Sequence, residues 1–185
     1  LAPAPTDYRK TILYNTYDVT PQLQKENAIG VILGNGRFYT MRQNYKPYKI
    51  PTFGYPKLRL NLIIEYTDGS RQTIASDISW KLTTEGPIRS NNEYDGEEYD
   101  ARKELGDWNR TGYDDTNWIP AGRVSIPSGT LRAQMMPGMK VTESLKPVSI
   151  RKQGDKHILD IGQNMAGWLR IRIKGQAGDS IRLRF

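Results

Sequence analysis

Apolar and polar residues alternate along several short runs of the chain, with the period of two that is typical of β-strands. The clearest runs are Tyr8–Val19 and Leu58–Tyr66. The second run is followed by Asp68 and Gly69, a pair that favours the tight turn of a β-hairpin. We therefore predict a hairpin in which Leu58–Tyr66 pairs with the strand at Gln72–Ala75.

One run, Ala28–Leu33, is apolar at almost every position, which predicts a fully buried strand. Helical periodicity is almost absent from the chain. The one predicted helical turn is Ala101–Leu105, with Asp100 as its N-cap.

The remaining strand-like runs are short and are separated by Gly, Pro, Asn and Asp. These runs are Trp80–Thr83, Val124–Met135, Met139–Ser144, Val148–Lys152, His157–Ile161, Trp168–Ile173 and Ser180–Phe185. The pattern predicts an all-β sandwich followed by the first strands of a second β unit. The break at Pro137 and Gly138 places the boundary there, giving predicted domains 1–136 and 137–185. Because the last predicted strand runs to Phe185 itself, we expect the sequence to be a piece of a longer chain.

Composition narrows the classes of function. None of the 185 residues is Cys, which excludes disulfides, thiolate metal sites and a Cys nucleophile. The sequence has neither an apolar run of membrane-spanning length nor the pattern of a signal peptide.

The net charge of +7 is unevenly distributed. The segment Asn91–Asp115 holds nine acidic and three basic residues, so the remainder of the chain carries +13. Such a surplus is compatible with a polyanion or nucleic-acid partner. Solvated strand faces explain it as well, because the basic residues are scattered singly. Four arginines fall on one face of two predicted strands: Arg170, Arg172, Arg182 and Arg184.

Catalytic and metal-binding motifs are mostly absent. His157 is the sole histidine and no Gly-x-Ser-x-Gly elbow accompanies it, so a Ser-His-Asp site is not indicated. The acidic stretch Asn91–Asp100 has carboxylates in number, but loop spacing alone does not place two of them across a glycosidic bond. Calcium is the ion that its carboxylate and amide oxygens would suit, although the EF-hand pattern is absent.

Aromatic residues could stack on sugar rings or anchor the interior of a sandwich. We expect Trp118 and Trp168 to be interior anchors, since each lies in a strand or in a turn that enters one. Trp108 is flanked by polar residues, and its role stays open. Tyr94 and Tyr99 are expected to pack.

Several runs, in the right order along nearly the whole chain, resemble the bacterial α-L-rhamnosidases of glycoside hydrolase family 78. The runs that carry the resemblance are Thr6–Lys10, Tyr14–Thr20, Asn27–Tyr39, Gly86–Ser90, Tyr94–Arg102, Asp160–Trp168 and Arg170–Gly175. The resemblance implies a jelly-roll or galactose-binding-like accessory β-sandwich over residues 1–136. It implies the truncated start of a second β-sandwich over residues 137–185.

In that family the catalytic acids lie further downstream, in an (α/α)6 barrel, so no catalytic residue is expected in this chain. The resemblance implies a non-catalytic fragment of an enzyme that hydrolyses terminal α-L-rhamnosides. Its expected partners are a rhamnose-containing glycan and the barrel of the same polypeptide, with neither nucleic acid nor a membrane. We expect a bacterial protein that is periplasmic or secreted, with a cytoplasmic location as the alternative.

Candidate carbohydrate-binding residues are amides, carboxylates, a guanidinium and aromatic rings near the loops that bind rhamnose in some relatives. They are Asn35, Arg37, Trp80, Glu85, Tyr94, Asp95 and Glu97. No cofactor is required by this hypothesis. Calcium is the ion it would admit, although relatives often have an aspartate where Asn35 stands and a Trp where Arg37 stands. Two alternatives stay open: a purely structural β domain without a ligand, and a basic module that binds polyanions or nucleic acid.

Overall fold

A computed structural model describes residues 3–39, 53–92 and 95–185 of the chain. Its backbone contacts divide the chain into two units, Leu1–Gly138 and Met139–Phe185. The domain boundary inferred from the sequence, between residues 136 and 137, stays a prediction.

Among the described residues, the regular elements are short strands and two three-residue 3-10 turns, Thr20–Gln22 and Ala101–Lys103. The strands of the first unit are β1 (Thr11–Tyr14), β2 (Asn61–Glu65), β3 (Arg71–Ala75), β4 (Lys81–Leu82), β5 (Ile88–Asn92), β6 (Gly96–Tyr99), β7 (Ile119–Pro120) and β8 (Thr130–Ala133). Those of the second unit are β9 (Ser149–Gln153) and β10 (Lys156–Asp160). The all-β prediction is confirmed. No helix formed by the described residues is long or apolar enough to cross a membrane.

Hairpins form where the turn chemistry of the sequence is strong. β2 and β3 pair antiparallel with Leu62 opposite Ile74. The predicted Asp68–Gly69 turn joins them, and Gly69 adopts a φ of 83°, which glycine tolerates best. The Asp68 side chain accepts a hydrogen bond from the Ser70 amide at 2.8 Å, which fixes the turn. β5 pairs with β6 and β9 with β10 in the same antiparallel manner.

Two further pairings join distant parts of the first unit. β4 pairs antiparallel with β7 through Lys81 and Leu82. β1 pairs parallel with β8, so that Thr11 lies opposite Thr130. Just before β8, the Gly129 amide donates to the Tyr8 carbonyl at 3.1 Å. A Cβ on Gly129 would meet that carbonyl and lie 2.9 Å from the Thr11 nitrogen, so only glycine fits this close approach.

Two aromatic clusters hold the half-buried interior of the first unit. In one, the rings of Tyr8, Phe38 and Phe53 lie edge-on or tilted at centroid distances of 4.9 to 5.6 Å. In the other, Trp118 stacks on Trp108 at 6.3 Å and meets Tyr113 edge-on at 5.8 Å. Such ring pairs add to the stability that burial of their area provides. The expectation that Trp118 is an anchor is consistent with this packing, and Trp108 shares the role.

The prediction of a buried strand at Ala28–Leu33 is wrong. This segment forms no strand in the structure, and its residues are exposed, Ile32 by 67%. Within this segment Gly30 lies against the Trp108 ring, and Gly34, which follows the segment, lies against the Asn91 side chain. An apolar run indicates suitability for burial, but a strand also needs a hydrogen-bonded neighbour.

In the second unit only the predicted strands near 148–152 and 157–161 are confirmed, as β9 and β10. The predicted strands Met139–Ser144, Trp168–Ile173 and Ser180–Phe185 have no strand pairing in this unit. Trp168 is 61% exposed, so the expectation that it is an interior anchor is wrong. Alternation identified residues that suit a strand, but these segments have no pairing partner here.

Candidate functional site

The loop around Asn35 and the hairpin β5–β6 meet through a side-chain amide. The main-chain N–H of Asn35 donates to Oδ1 of Asn91 at 2.8 Å, and both residues are half-buried. The approach at Gly34 is close, since a Cβ there would lie 3.2 Å from Nδ2 of Asn91. Asn91 therefore ties the Gly34–Gly36 loop to the end of β5.

The turn of the same hairpin is closed by a second amide. Nδ2 of Asn92 donates to Oδ2 of Asp95 at 3.0 Å, and the Asp95 N–H donates to Oδ1 of Asn92 at 2.8 Å. Glu97 lies opposite Asn91 in the β5–β6 register. Directly opposed residues of antiparallel strands present their side chains on the same face. The structure therefore brings Asn35, Asn91 and Glu97 to one place, with Asn92 and Asp95 on the adjoining turn; we call these five residues the amide cluster.

Asn91 and Asn92 were not among the residues that the sequence singled out for carbohydrate binding. Both belong to the polar stretch Asn91–Asp100. The sequence feature that could have pointed to them is a pair of neighbouring amides beside the acidic residues. Tyr94, a predicted site residue, lies outside the described residues. Tyr99 is 53% exposed, and its hydroxyl donates to Oε1 of Glu104, which does not fit the expectation that it packs.

Trp80 and Glu85 have other partners. The Trp80 carbonyl accepts from the Ala121 amide at 2.7 Å beside the β4–β7 pair, and its side chain is half-buried. Oε2 of Glu85 lies 2.7 Å from Nζ of Lys103. The hydrogen bond from Lys103, followed by the charges of Lys103 and Arg89, holds the pKa of Glu85 below its ordinary value. The described contacts do not join either residue to the amide cluster.

Arg37 is half-buried and lines a cleft of about 380 Å³ with Pro5, Thr6, Asp7, Arg9 and Phe53. It follows Asn35 by two residues in the sequence, but none of the five residues of the amide cluster lines the cleft. Of the predicted site residues, Asn35, Asp95 and Glu97 thus belong to the amide cluster, whereas Arg37 lines the cleft.

The acidic stretch ends at Asp100, which caps the 3-10 turn as predicted. Its carboxylate accepts from the Arg102 amide at 3.0 Å and from Nε and Nη2 of Arg102 at 2.8 Å each. These hydrogen bonds from Arg102 lower the pKa of Asp100 to about 2. This carboxylate is committed to local structure and stays ionised at neutral pH.

The oxygen donors of the amide cluster fit a resident calcium ion poorly. Calcium takes six to eight oxygen ligands. In the described part of the chain, no three His, Asp or Glu side chains converge as a metal site. The oxygens of Asn92 and Asp95 already accept hydrogen bonds within the turn.

Comparison with known proteins identifies the relatives of the chain. Residues 1–143 match the family described as "Alpha-L-rhamnosidase N-terminal domain", and residues 150–185 match "Bacterial alpha-L-rhamnosidase concanavalin-like domain". An α-L-rhamnosidase of Formosa agariphila is 40% identical over 99% of this chain and 20% of its own length. One from Streptomyces avermitilis is 37% identical over the whole chain and 18% of its own length. The chain thus spans about a fifth of the relatives it matches.

Solved structures give the same result for the fold. An α-L-rhamnosidase from Dictyoglumus thermophilum is similar over 89% of this chain and 18% of its own, with a TM-score of 0.72 and 36% identity. The Streptomyces avermitilis α-L-rhamnosidase complexed with L-rhamnose is similar over 89% of this chain and 16% of its own, with a TM-score of 0.70 and 29% identity. The predicted β-sandwich class and the predicted family resemblance are confirmed, and the chain belongs to the α-L-rhamnosidase N-terminal domain family.

Proposed function

We propose that this chain is a non-catalytic accessory part of an α-L-rhamnosidase that helps to hold a rhamnose-containing glycan. The complete protein would hydrolyse terminal α-L-rhamnosides, with its catalytic acids on an (α/α)6 barrel outside this sequence. The relatives are about five times longer than this chain, so this activity is proposed for the whole protein and not for the chain alone. We also propose that the protein is located in the periplasm or outside a bacterial cell.

The observation that carries the binding role is the hydrogen bond between the Asn35 amide and the Asn91 side chain. It gathers planar amides and a carboxylate around one loop. Neutral sugars present hydroxyl groups that both donate and accept, and amide and carboxylate groups satisfy them in pairs. One relative was solved as a complex with L-rhamnose, which supports this class of ligand.

Several carboxyl groups of the described residues are held in the ionised form by local hydrogen bonds. Wherever a carboxyl group of the described residues has a shifted pKa, the shift is downward because cations, hydroxyls or main-chain amides donate to the carboxylate. Those groups are Asp7, Asp18, Asp68, Asp77, Glu85, Asp100 and Asp114.

Calorimetric titration of L-rhamnose and a methyl rhamnoside into the 185-residue chain tests the binding role, with and without calcium. We expect a dissociation constant in the millimolar range, about −4 kcal/mol. Asn91→Ala should weaken binding, whereas Asn117→Ala, an exposed amide outside the cluster, should not. Absence of binding under all conditions would contradict the role in glycan recognition.

A second candidate is a purely structural role, in which the chain packs against the rest of the protein. The exposed apolar side chains favour it, for example Ile126 at 70% and Ile32 at 67% exposure. Deleting residues 1–185 from the full-length enzyme distinguishes the two candidates. Loss of the thermal stability of the remaining protein supports the structural role, whereas a raised KM at unchanged stability supports glycan recognition.

A further inference from the structure

The positive charge of the chain is concentrated in the second unit. Residues 139–185 include ten basic and four acidic residues, so they carry +6 of the net charge of +7. The ion pairs that join described residues all lie in the first unit, for example Lys81 with Asp115. The structure describes every residue of the second unit, and none of its ten bases forms an ion pair.

The four carboxylates of this unit do not pair with its bases. They belong to Glu143, Asp155, Asp160 and Asp179. Oδ1 of Asp160 accepts from the Gly162 amide at 2.8 Å, and Oδ2 of Asp179 accepts from the Gln176 amide at 2.7 Å. Two of the four carboxylates thus bond to main-chain amides of turns rather than to a basic side chain.

The β9–β10 hairpin places part of this charge at its turn. In its antiparallel register Lys152 lies opposite His157, and Lys156 lies opposite Gln153. Opposed residues share a face of the hairpin and successive residues alternate between faces. Lys152 therefore lies on one face, and Arg151 and Lys156 lie on the other. All three bases are exposed, so the turn end of the hairpin presents cations on both faces.

This arrangement does not stabilise the hairpin. Arg151 and Lys156 are diagonal neighbours on one face, a spacing that long side chains span, and like charges at cross-strand positions are unfavourable. A hairpin of two strands is itself only marginally stable in water. A partner that carries several negative charges along its length would relieve the repulsion at both faces.

The composition of the hairpin favours a polysaccharide over a nucleic acid as that partner. Binding of single-stranded nucleic acid without sequence preference combines a basic groove with aromatic side chains on which the bases stack. Residues 148–160 contain no Phe, Tyr or Trp. The hairpin thus offers cations for anionic groups and no aromatic surface for bases.

We propose that the β9–β10 hairpin binds an anionic polysaccharide through Arg151, Lys152 and Lys156. The saccharide context rests on the proposed function, and the inference adds an acidic glycan as the partner of the second unit. The residues of the amide cluster all belong to the first unit, so the two sites share no residue.

The test is a nitrogen-15 NMR titration of the 185-residue chain with three oligosaccharides of equal length: an oligogalacturonate, a sulfated dextran oligomer and a neutral dextran oligomer. The first two distinguish carboxylate from sulfate as the anionic group. We expect at least one of them to shift the amide signals of β9 and β10, and neutral dextran to leave these signals in place. Raising monovalent salt from about 50 to about 200 mM should weaken the binding about tenfold, because contacts with a polyanion release its condensed counterions.

A triple variant locates the site. Arg151→Gln combined with Lys152→Gln and Lys156→Gln should weaken binding of the charged oligosaccharide about tenfold, since three contacting cations are lost.

The matched control removes three positive charges from the same unit outside the hairpin. It combines Lys140→Gln, Arg182→Gln and Arg184→Gln, and it should weaken binding by less than about threefold, because charges that do not contact the ligand are screened by salt. Asp155→Asn removes the carboxylate from the turn of the hairpin and should tighten binding about twofold.

Four results would overturn the proposal. They are the absence of binding of both charged oligosaccharides, equal binding of neutral dextran, equal losses in the two triple variants, and tighter binding of a single-stranded oligothymidylate of equal charge. If the hairpin variant has lost the β9–β10 pairing, Asp155→Asn decides, and an unchanged affinity in this variant overturns the proposal. Because none of these ligands contains rhamnose, the result is independent of whether the amide cluster binds rhamnose.

Discussion

The main-chain amide of Asn35 donates a 2.8 Å hydrogen bond to Oδ1 of Asn91, a residue 56 positions later in the sequence. This contact joins a Gly-Asn-Gly loop to the β5–β6 hairpin, where we propose that a glycan binds. The Asn91 side chain therefore helps to hold the Gly34–Gly36 loop in position. Changes at Asn91 should therefore affect both stability and ligand binding.

Asn91→Ala should lower the free energy of unfolding by about 1 kcal/mol, because the half-buried Asn35 amide would lose its acceptor. Chemical denaturation of the chain measures this change. Asn117→Ala is the matched control, and as an exposed substitution it should change the free energy by less than about 0.5 kcal/mol. Equal stabilities of the two variants would show that the Asn35–Asn91 contact does not support the loop.

Gly129→Ala should destabilise the first unit by about 1 to 3 kcal/mol, since the added methyl group would press on the Tyr8 carbonyl and the Thr11 nitrogen. The parallel pairing of β1 with β8 would be displaced. Gly122→Ala is the matched control, because a Cβ at Gly122 meets nothing within 4 Å. Thermal unfolding of both variants is the measurement, and a Gly129→Ala variant as stable as Gly122→Ala would contradict the close approach.

Acid should weaken the contribution of the Asp100–Arg102 pair. The folded pKa of Asp100 is about 2, below the ordinary value of 3.8. A lowered folded pKa means that the pair stabilises the fold fully above pH 3.8 and that this contribution is lost as the pH falls towards 2. In Arg102→Gln the Asp100 carboxyl should titrate closer to 3.8.

Carbon-13 NMR of the Asp100 carboxyl follows both titrations. The stability difference between the unchanged chain and Arg102→Gln should also shrink over the same pH interval. A midpoint that is the same in both proteins would contradict the role of Arg102.

Calcium should not change the affinity for rhamnose at the amide cluster. The oxygens of Asn92 and Asp95 accept hydrogen bonds from one another's groups, and a calcium ion would have to break this turn. Titrations in calcium and in a chelator make the comparison, with magnesium as the control for ionic effects. A clear gain in affinity with calcium alone would show that the turn rearranges into an ion site.

Local structure was predictable where a few neighbouring residues decide it. The Asp68–Gly69 turn and the Asp100 cap depend on side chains that bond to amides two residues away. Contacts between residues this close in the sequence can be predicted from the local residue pattern. The same holds for the two strands of the 149–160 hairpin, which are joined by a short Gly-containing turn.

Distant contacts were not predictable in this way. Ala28–Leu33 has the composition of a buried strand, but whether a strand forms depends on a neighbour elsewhere in the chain. Asn91 received no role in carbohydrate binding because its partner is Asn35, and no local signal connects the two. Asn35, Asp95 and Glu97 were selected by chemistry and lie together, whereas Trp80 and Glu85 had the right chemistry and other partners.

Glycan binding at the amide cluster is tested most directly by a nitrogen-15 NMR titration of the chain with L-rhamnose, followed at the backbone amide of Asn35. We predict a saturable shift of this signal together with those of Asn91, Asn92 and Asp95, and the loss of this shift in Asn91→Ala. Signals of the β9–β10 hairpin should stay in place. If the Asn35 and Asn91 signals stay unchanged at rhamnose concentrations well above the millimolar range, the amide cluster does not bind rhamnose.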